Sequence, residues 1–421
     1  MKRSSRDIRT ANRYQVLRHV IAEHPVSRSA LAMRTGLSLA TVATLTGELL
    51  ALGLLTEAGH EDSAGGRPRA LVAPDAGGGA LVGVDVAETY VRAEVYDLAF
   101  GVLATAQEQL RPGERAPGEV VGRIASSVER ALDASGAEGD QVLGVGVSMP
   151  GMVDREGGVS VYAANWGWHD VPLLRLLGER LPHPLHLDNP LRACAVAELW
   201  FGAARGCEDS VVVNLGTGVG AGLVLGGELH RGKDNSAGEW GHTPLVLDGH
   251  PCLCGDRGCV EAYVGAHGIM RALRELAPGS PLHHPDDQTA TIEALGRAAA
   301  DGDPVAVRVV AGTGRLLGAA LAGLVNLLNP EVVVLSSWVA SALGQQLLDA
   351  VRATVAERAL ARPLSGTSIV LCPLSSDPVS LGAATFALEG HLAAPRNRTR
   401  RRRNSAHTPQ TPQHSRTART P

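Results

Sequence analysis

The first fifty residues alternate apolar and polar positions with the period of an α-helix. Apolar side chains recur on one face over residues 12–23, and a second short helix fits residues 27–34. A third helix follows Ser38, which is a suitable N-cap, and Gly53 is suited to end it. Two short helices, a glycine-containing turn and a third helix form a helix-turn-helix pattern. The next stretch predicts a two-stranded wing with the sequence GGRPR at its tip.

Further along the chain the apolar pattern changes to strands joined by tight turns. ALVGVDVAETYVRAEVYD (residues 80–97) predicts a β-hairpin, and DSVVVNLGTGVGAGLVLGGEL (residues 209–229) repeats the same design. Two such openings predict a duplicated α/β body with a cleft between its halves. Residues 73–79, rich in Pro and Gly, form a linker ahead of this body.

Length and apolar patterning bound the class of protein. The chain has 421 residues, which is too long for one ordinary core and predicts two or three folding units. Its most apolar stretch, residues 316–335, is interrupted by two Asn, a Pro and a Glu, so a membrane span is not expected. The amino-terminal residues are charged and lack an apolar core, which argues against a secretory signal. We therefore expect a cytoplasmic protein without membrane contact.

Charge is distributed unevenly along the chain. Residues 1–73 hold ten Lys or Arg against six Asp or Glu, and residues 393–421 hold eight Arg and no acidic residue, although the formal net charge is −4. The two ends of the chain are therefore basic and the body between them is acidic. This distribution predicts a polyanionic partner at a basic end and not at the body. Residues 393–421 contain almost nothing apolar and are expected to be a disordered basic tail. This tail either adds salt-sensitive attraction to DNA or is a dispensable extension.

The helix-turn-helix supplies candidate DNA contacts. Short side chains near the start of the third helix would let it approach base edges in a major groove, while arginines nearby and in the wing can meet phosphates or a minor groove. The alternative is a small helical interaction module that does not touch DNA, but the basic balance and the wing favour DNA. The candidate DNA-binding residues are Arg28, Ser38, Leu39, Ala40, Thr41, Thr44, Arg67 and Arg69.

Three of the six cysteines fall within eight positions. His242, Cys252, Cys254 and Cys259 offer one imidazole and three thiolates, a ligand set suited to a closed tetrahedral Zn²⁺ site. In a reducing compartment a metal site is a better interpretation of this cluster than a disulfide framework. His250 is a competing ligand that ranks below His242. The alternative is a set of buried cysteines without a metal.

Two further stretches carry candidate chemistry. The glycines of NLGTGVGAG (residues 214–222) either bring backbone amides close to an anion or form a tight hairpin packed against a neighbouring strand. Carboxylates and amides in residues 186–200, in residues 237–242 and at Glu261 can recognise a polyhydroxylated ligand, because each can pair with a hydroxyl group.

These motifs resemble the ROK family, named for repressors, open reading frames and kinases, and specifically its transcriptional-regulator branch. The resemblance covers residues 11–390 and is carried by GGRPR, VSMPGMVD, NWGW, AGEWGHTPL, CLCGDRGCVE and LAGLVNLLNPEVVVL. It implies an α/β fold, with a winged helix-turn-helix in residues 11–73 and a duplicated actin-like (ribonuclease H-like) sugar-kinase fold of two lobes in residues 80–390. It also implies a structural Zn²⁺ ion that orders the loop bearing Glu261. The sugar-binding residues that it implies are Asn165, Asn189, Glu239, His242 and Glu261.

Three departures from the kinases of this family predict a cleft without catalysis. Those kinases carry Asn-Asp at the start of a helix, where the Asp removes a proton from the sugar; here the pair is Asn189-Pro190, and Asp188 stands one residue too early. Pro190 still suits the first position of a helix capped by Asn. The first phosphate turn, Asp-x-Gly-Gly-Thr in the kinases, is DVAET at residues 85–89, and the Gly-Gly expected near adenosine is Ser336-Ser337.

The sequence therefore predicts a sugar-responsive transcriptional regulator that acts as a repressor and is not an enzyme. Its expected partners are operator DNA, a sugar or sugar-derivative effector, and further copies of itself in a homodimer or homotetramer. The main alternative is an ATP-dependent sugar kinase of the glucokinase type, or a bifunctional kinase and regulator. A third possibility is a DNA-binding protein whose body senses no small molecule.

Overall fold

A computed structural model of the chain describes residues 5–61, 69–111 and 113–394. The amino-terminal module consists of α1 (Ser5–Glu23), β1 (Val26–Ser27), α2 (Arg28–Thr35), α3 (Leu39–Ala51), β2 (Leu55–Glu61) and β3 (Arg69–Pro74). The three strands form a sheet of order β1-β3-β2. The three predicted helices are confirmed, and α1 begins earlier than the apolar pattern indicated.

Serine caps and one glycine shape the helix-turn-helix. The side chains of Ser27 and Ser38 accept hydrogen bonds from backbone N–H groups three residues later, at 3.4 and 3.1 Å. The predicted N-cap at Ser38 is therefore confirmed. Gly36 has a φ of 67° at the end of α2, which lets the chain turn towards α3. The strands β2 and β3 pair antiparallel as the predicted wing. Residues 65–68 of its tip lie outside the described residues, and Arg69 begins β3.

The first lobe of the body is built on a five-stranded sheet. Its elements are β4 (Ala80–Val86), β5 (Tyr90–Tyr96), β6 (Val102–Gln109), α4 (Pro117–Ser135), β7 (Val142–Ser148), β8 (Met152–Asp154), β9 (Val159–Ala163), β10 (Trp168–Val171), α5 (Leu173–Gly178), β11 (Leu185–Asp188) and α6 (Pro190–Phe201). The sheet order is β11-β7-β4-β5-β6, and β8, β9 and β10 form a small separate sheet.

The second lobe repeats this plan. Its elements are β12 (Ser210–Leu215), β13 (Val219–Leu225), β14 (Glu228–His230), α7 (Glu261–Val264), α8 (Ala266–Leu276), α9 (Gln288–Ala300), α10 (Pro304–Leu328), β15 (Val332–Ser336), α11 (Trp338–Arg358), α12 (Ala361–Leu364), β16 (Ser368–Leu371) and α13 (Pro378–Ala393). The sheet order is β14-β13-β12-β15-β16. In both lobes an antiparallel three-stranded meander is extended by two parallel strands. The predicted duplication and both predicted hairpins are confirmed.

Two helices, α6 and α13, lie against the sheets at unusually short range. A Cβ atom at Gly146 on β7 would lie 1.8 Å from the carbonyl oxygen of Ala383 on α13, and one at Gly222 on β13 would lie 2.2 Å from the carbonyl oxygen of Leu191 on α6. Only glycine permits such an approach of helix backbone to strand. The body is thus held together around these two helices.

The amino-terminal module shares a hydrophobic core with the body. The ring of Tyr14 on α1 lies 5.1 Å from that of Trp200, near the end of α6, and Phe100 lies 6.0 Å from Trp200 on another side. The guanidinium group of Arg205 donates a hydrogen bond to the carbonyl oxygen of Ala22 at 2.9 Å. These contacts attach the module to the carboxyl-terminal end of α6.

Among the described residues, α10 is the one helix with the length and apolar composition of a membrane span. Half of its apolar stretch is buried, and Val309, Leu317, Leu321 and Val325 belong to the core of the second lobe. The helix packs mainly on α11. Buried core helices have the same apolar composition, so α10 is weak evidence for a membrane.

A candidate ligand cleft beside a Cys and His cluster

A cleft lies between the two lobes, where β4, β12 and β15 end. Ligands of open α/β sheets commonly bind beyond the carboxyl ends of the strands, so this is the expected place for a site. The turn after β4 (the first-lobe turn, residues 87–89) and the turn after β12 (the second-lobe turn, residues 216–218) both border the cleft. The structure also brings into its wall all five residues that the family resemblance assigned to sugar: Asn165, Asn189, Glu239, His242 and Glu261.

Asn189 and Pro190 connect β11 to α6 at the cleft. The side-chain oxygen of Asn189 accepts a hydrogen bond from the backbone N–H of Arg192 at 3.2 Å, so Asn189 is the N-cap of α6. Its amide nitrogen donates to the carbonyl oxygen of Gly151 at 3.3 Å. Pro190 occupies the first position of the helix, as predicted. Pro190 stands where the kinases of the family carry their catalytic Asp. It starts the helix and supplies no carboxylate.

Asp188 is buried outside the cleft wall. It is fully buried and is not among the described residues that line the cleft. Its carboxylate accepts hydrogen bonds from the guanidinium group of Arg231 and, at 3.5 Å, from that of Arg192. A backbone N–H from Asn189 adds a third donor at 3.0 Å. Each oxygen of this carboxylate therefore accepts a hydrogen bond from an arginine.

Glu239 presents an unsatisfied oxygen to the cleft. Its Oε1 atom is buried and has no hydrogen-bond partner within the described part of the chain. Burial raises the pKa of this carboxyl, while His242 and Arg192 lower it. A buried acceptor without a donor is costly, so a ligand hydroxyl would stabilise it. Glu239 starts a short 3-10 turn after Gly238, whose φ is 99° and whose Cβ atom would lie 2.0 Å from the carbonyl oxygen of Ala221.

The four candidate metal ligands converge beside this turn. Ligand atoms of His242, Cys252, Cys254 and Cys259 all lie within 4.8 Å of one another. The Sγ atoms of Cys254 and Cys259 are 3.8 Å apart, and His242 Nδ1 is 3.7 Å from Cys252 Sγ. A Zn²⁺ ion at about 2.3 Å from each sulfur requires tetrahedral sulfur atoms roughly 3.8 Å apart. The two separations of 3.7 and 3.8 Å therefore match the spacing around a tetrahedral ion of this size, while the whole set extends to 4.8 Å.

The competing ligand His250 lies elsewhere. Its ring packs on that of Tyr263 with the centroids 4.9 Å apart, and its backbone N–H donates to the hydroxyl of Tyr263 at 3.0 Å. Glu261 follows the last cysteine and connects the cluster to the cleft. Its Oε2 atom accepts the backbone N–H of Val219 at 3.0 Å, and its Oε1 atom lies 3.5 Å from Cys252 Sγ. Order in the cysteine loop thus bears directly on where Glu261 points.

The first-lobe turn puts a carboxylate into the cleft wall. The amide nitrogen of Asn165 donates a hydrogen bond to Glu88 Oε1 at 2.6 Å. Burial raises the pKa of Glu88, and the Asn165 hydrogen bond partly offsets the rise. The sequence placed both residues near the cleft, but their direct bond was not predicted. Asn165 therefore lies in the cleft wall with its amide nitrogen bound to the first-lobe turn.

The two interpretations of NLGTGVGAG apply to different halves of the motif. Gly216 and Gly218 border the cleft, and the backbone N–H of Gly216 donates to the carbonyl oxygen of Gly218 at 3.1 Å. Gly220 and Gly222 lie on β13 under α6, and a Cβ atom on Gly220 would lie 2.6 Å from the side chain of Leu191. The first pair therefore belongs to the site, and the second pair serves packing.

Sequence reasoning missed three aromatic residues of the cleft wall. Trp338 lies beside the second-lobe turn, with its Nε1 atom 3.1 Å from where a Cβ of Gly216 would be. Tyr90 lines the cleft on the side of the first lobe, and its hydroxyl group donates a hydrogen bond to Asp85 at 2.8 Å. Trp166 belongs to the NWGW motif and also borders the cleft. Trp338 directly follows Ser336-Ser337, the pair that stands where Gly-Gly was expected near adenosine. This position next to the pair was the signal that could have placed Trp338 in the cleft.

The structure separates the candidate DNA-binding residues into three groups. Leu39, Ala40 and Thr44 are exposed at the start of α3, beside the capping pair Ser38 and Thr41. Arg28 is half-buried and donates to the hydroxyl of Thr46 on α3 at 3.0 Å, so it fixes α2 to α3. Arg69 is exposed and donates to Ser29 at 3.2 Å. Arg67 and most of the basic tail, residues 395–421, lie outside the described residues.

The fold and the cleft together define a sugar-kinase-like body preceded by a winged helix. The chain belongs to the ROK family, whose sequence profile matches residues 81–389. This result confirms the predicted family and fold class.

Three relatives show how far the likeness extends. The xylose repressor of Caldicellulosiruptor bescii is 26% identical, over 92% of this chain and 98% of that protein. The glucokinase of Thermotoga maritima is 34% identical, over 64% of this chain and 86% of that protein. The crystal structure of a ROK family transcriptional regulator, described as a homolog of the Escherichia coli MLC protein, has a TM-score of 0.73 and 26% identity, covering 92% of this chain and 97% of its own. The regulators match nearly the whole chain, whereas the kinase matches under two thirds of it.

Proposed function

We propose that this ROK protein is a sugar-responsive transcriptional repressor of the cytoplasm. The winged helix binds operator DNA, and the cleft binds a sugar without phosphorylating it. One observation carries the proposal: α6 begins in the cleft at Pro190 and ends against the amino-terminal module at Trp200. The near full-length match to repressors supports the assignment of a regulator.

Helix α6 offers a direct route between the two sites. Its 12 residues span about 18 Å. Leu191 lines the cleft in its first turn, and the ring of Trp200 contacts that of Tyr14 on α1 in its last. A second contact, from Arg18 on α1 to the carbonyl oxygen of Gly227 at 3.2 Å, joins the module to the second lobe. Closure of the lobes around a sugar would therefore shift α1 relative to the body and change the placement of α3.

The absence of catalysis rests on the residues at the start of α6. Pro190 supplies no carboxylate, and Asp188 is engaged by Arg231 and Arg192. Trp338 stands at the nucleotide side of the cleft, next to Gly216. An enzyme that lacks a positioned base loses a proton-transfer contribution of typically 10²- to 10⁴-fold. A cleft with these residues binds its ligand and does not turn it over.

A Zn²⁺ ion would be held by His242 Nδ1 and by the sulfur atoms of Cys252, Cys254 and Cys259. The ion would supply structural order, since a dication keeps the three thiols ionised and fixes the loop. Burial raises the pKa of Cys252 and Cys259, and the side chain of the neighbouring Cys254 raises both further. With Nδ1 turned to the sulfur atoms, the other ring nitrogen of His242 is left for a ligand hydroxyl.

DNA binding is tested with the full chain and a pool of random-sequence duplexes. Repeated selection should enrich one sequence, and two-fold symmetry in it would support a homodimer. Ala40→Glu, at the exposed start of α3, should abolish the enrichment, whereas Ala134→Glu on the exposed face of α4 should not. Failure to enrich any sequence would remove the regulator from consideration.

Sugar response is tested with the selected duplex. Fluorescence anisotropy should show weaker binding when the effective sugar is present, by roughly 5- to 150-fold, the usual range of allosteric coupling. Xylose, glucose and N-acetylglucosamine are the first sugars to try, and calorimetry gives their affinities. A DNA affinity that no sugar of a wider panel alters would favour a regulator without a small-molecule effector.

The kinase alternative has one supporting observation, the glycine turn at residues 216–218 in the cleft wall. A coupled assay with ATP and the same sugars measures it directly. We expect no sugar phosphate above background. Steady turnover by the purified full chain would overturn the assignment of a non-enzyme.

A further inference from the structure

Carboxylates supply the charge in the wall of the cleft. Asp85 and Glu88 come from the first lobe, and Glu239 and Glu261 come from the second. No Lys or Arg is among the described residues that line it. A phosphorylated ligand brings about two further negative charges at neutral pH. Such a ligand would need cationic partners in this wall.

Three arginines of the two lobes are already engaged by carboxylates. Arg192 and Arg231 both bind the Asp188 carboxylate, and Arg92 binds Glu94 at 2.5 Å. His242 turns Nδ1 towards the cysteine cluster. These groups leave no arginine fork free for a phosphate, which is the usual means of binding one.

Helix amino termini are the second usual means of binding phosphate, and four of the described helices, α6, α7, α11 and α13, begin at the cleft. At α6 the Asn189 side chain takes the N–H of Arg192, and Pro190 has no N–H to offer. At α13 the Asp377 carboxylate takes the N–H of Ser380 at 2.6 Å and adds a negative charge. The helix α11 begins with the bulky Trp338 in the cleft wall, and the short helix α7 begins with Glu261, which is itself an acidic residue.

Glu88 stands in the turn that would otherwise face a phosphate. Asn165 holds its carboxylate in place at 2.6 Å. Its pKa is raised by burial and further by the carboxylate of Glu261, and it is lowered by the exposed His267. Glu88 lines the same cleft as Glu239 and Glu261 of the second lobe, and it does so from the first lobe.

We infer that the cleft takes an uncharged sugar and excludes its phosphate ester, with Glu88 as the residue that sets this specificity. The inference rests on the proposed function, since it specifies the chemical class of the effector. Exclusion arises because a phosphate entering the cleft would meet carboxylates and would lose its hydration without gaining a cationic partner.

Calorimetry on the full chain compares neutral sugars with their esters: glucose with glucose 6-phosphate, N-acetylglucosamine with its 6-phosphate, and xylose with its 5-phosphate. We expect one neutral sugar to bind and its ester to bind at least about 100-fold more weakly, since two charges are brought near carboxylates. An ester that binds tighter than its parent sugar and releases DNA overturns the inference but leaves the regulator intact. A panel in which nothing binds overturns the sugar-binding proposal as well.

Glu88→Gln tests the residue itself. The variant keeps an oxygen for Asn165 and removes the charge, so the ratio of ester to parent dissociation constants should fall by roughly tenfold. Glu138→Gln, an exposed change in the same lobe, is the matched control and should leave the ratio unchanged. An unchanged ratio in Glu88→Gln would show that this carboxylate does not set the specificity.

Discussion

In the first lobe β4 and β5 are joined by Ala87-Glu88-Thr89, and in the second lobe β12 and β13 are joined by Gly216-Thr217-Gly218. The two turns are equally long and border the same cleft, and the sheets behind them have the same strand order. Only the second turn keeps the glycines typical of phosphate contact. The first turn instead contributes a carboxylate that is held by Asn165.

Glycines elsewhere explain why this difference can exist. A Cβ atom at Gly146 or Gly222 would collide with helix backbone, so these positions are fixed by packing whatever the function. The residues at 87 and 88 border the cleft, where a side chain such as that of Glu88 has room beside Asn165. A scaffold can therefore lose its nucleotide contacts without losing its fold. Glycine content alone does not distinguish the two uses.

Asp188→Asn should have the largest effect on stability. The change leaves the buried guanidinium group of Arg192 without a counter-charge, and breaking a buried ion pair costs about 3–5 kcal/mol of unfolding free energy. Urea denaturation measures the loss. Asp234→Asn, an exposed change near Arg231 in sequence, should be neutral. Equal stability of the two variants would mean that Asp188 is not a structural anchor and could serve chemistry.

Gly222→Ala tests the packing side of the comparison. Its Cβ atom would lie 2.2 Å from the carbonyl oxygen of Leu191, so overpacking should lower the unfolding free energy by about 1–3 kcal/mol. Ala87→Gly in the first turn should cost less than about 1 kcal/mol, mainly through chain entropy. Gly122→Ala on α4 meets no atom within 4 Å and should be neutral or stabilising. A tolerated Gly222→Ala would contradict the division between packing and ligand glycines.

Cys254→Ser tests what holds the second-lobe wall. If the cluster binds zinc, metal content by emission spectroscopy should fall from about one ion per chain, and sugar affinity should fall roughly 10- to 100-fold as Glu261 and His242 lose their support. Cys207→Ser is the control, because Cys207 lies outside the cluster. Unchanged metal content in Cys254→Ser would exclude the cluster as the metal site. Unchanged sugar affinity after metal loss would separate the loop from the cleft.

Local patterns predicted much of this structure. Helical periodicity predicted α1 to α3, and the capping residues Ser38 and Asn189 predicted where two helices start. The two hairpin patterns predicted the duplicated sheets. The cysteine spacing indicated a cluster that the fold does assemble. Each of these features depends on residues close together in sequence, where propensity and capping act.

Contacts between distant segments could not be predicted in this way. Asp188 meets Arg231 and Glu88 meets Asn165 only because strand ends from different parts of the chain converge on one cleft. The sequence showed that a proline stands at the position of the kinase base. It did not show that Asp188 is buried and paired with two arginines. The contact of Tyr14 with the end of α6, on which the proposed coupling depends, is likewise set by packing alone.

Ser337→Gly should have the smallest effect and the opposite sign. Ser337 has φ 78° and ψ 175°, a conformation that is essentially restricted to glycine and costs a side chain on the order of 1–3 kcal/mol. Glycine would relieve this strain, but greater freedom of the unfolded chain would offset about 0.4–1 kcal/mol of the gain. The melting temperature should therefore rise slightly. Asn329→Gly is the control, because Asn tolerates its left-handed φ of 48°, and it should give no such gain. A stabilised Ser337→Gly protein would indicate that this position, like the second-lobe turn, retains a backbone suited to glycine where only the side chain has changed.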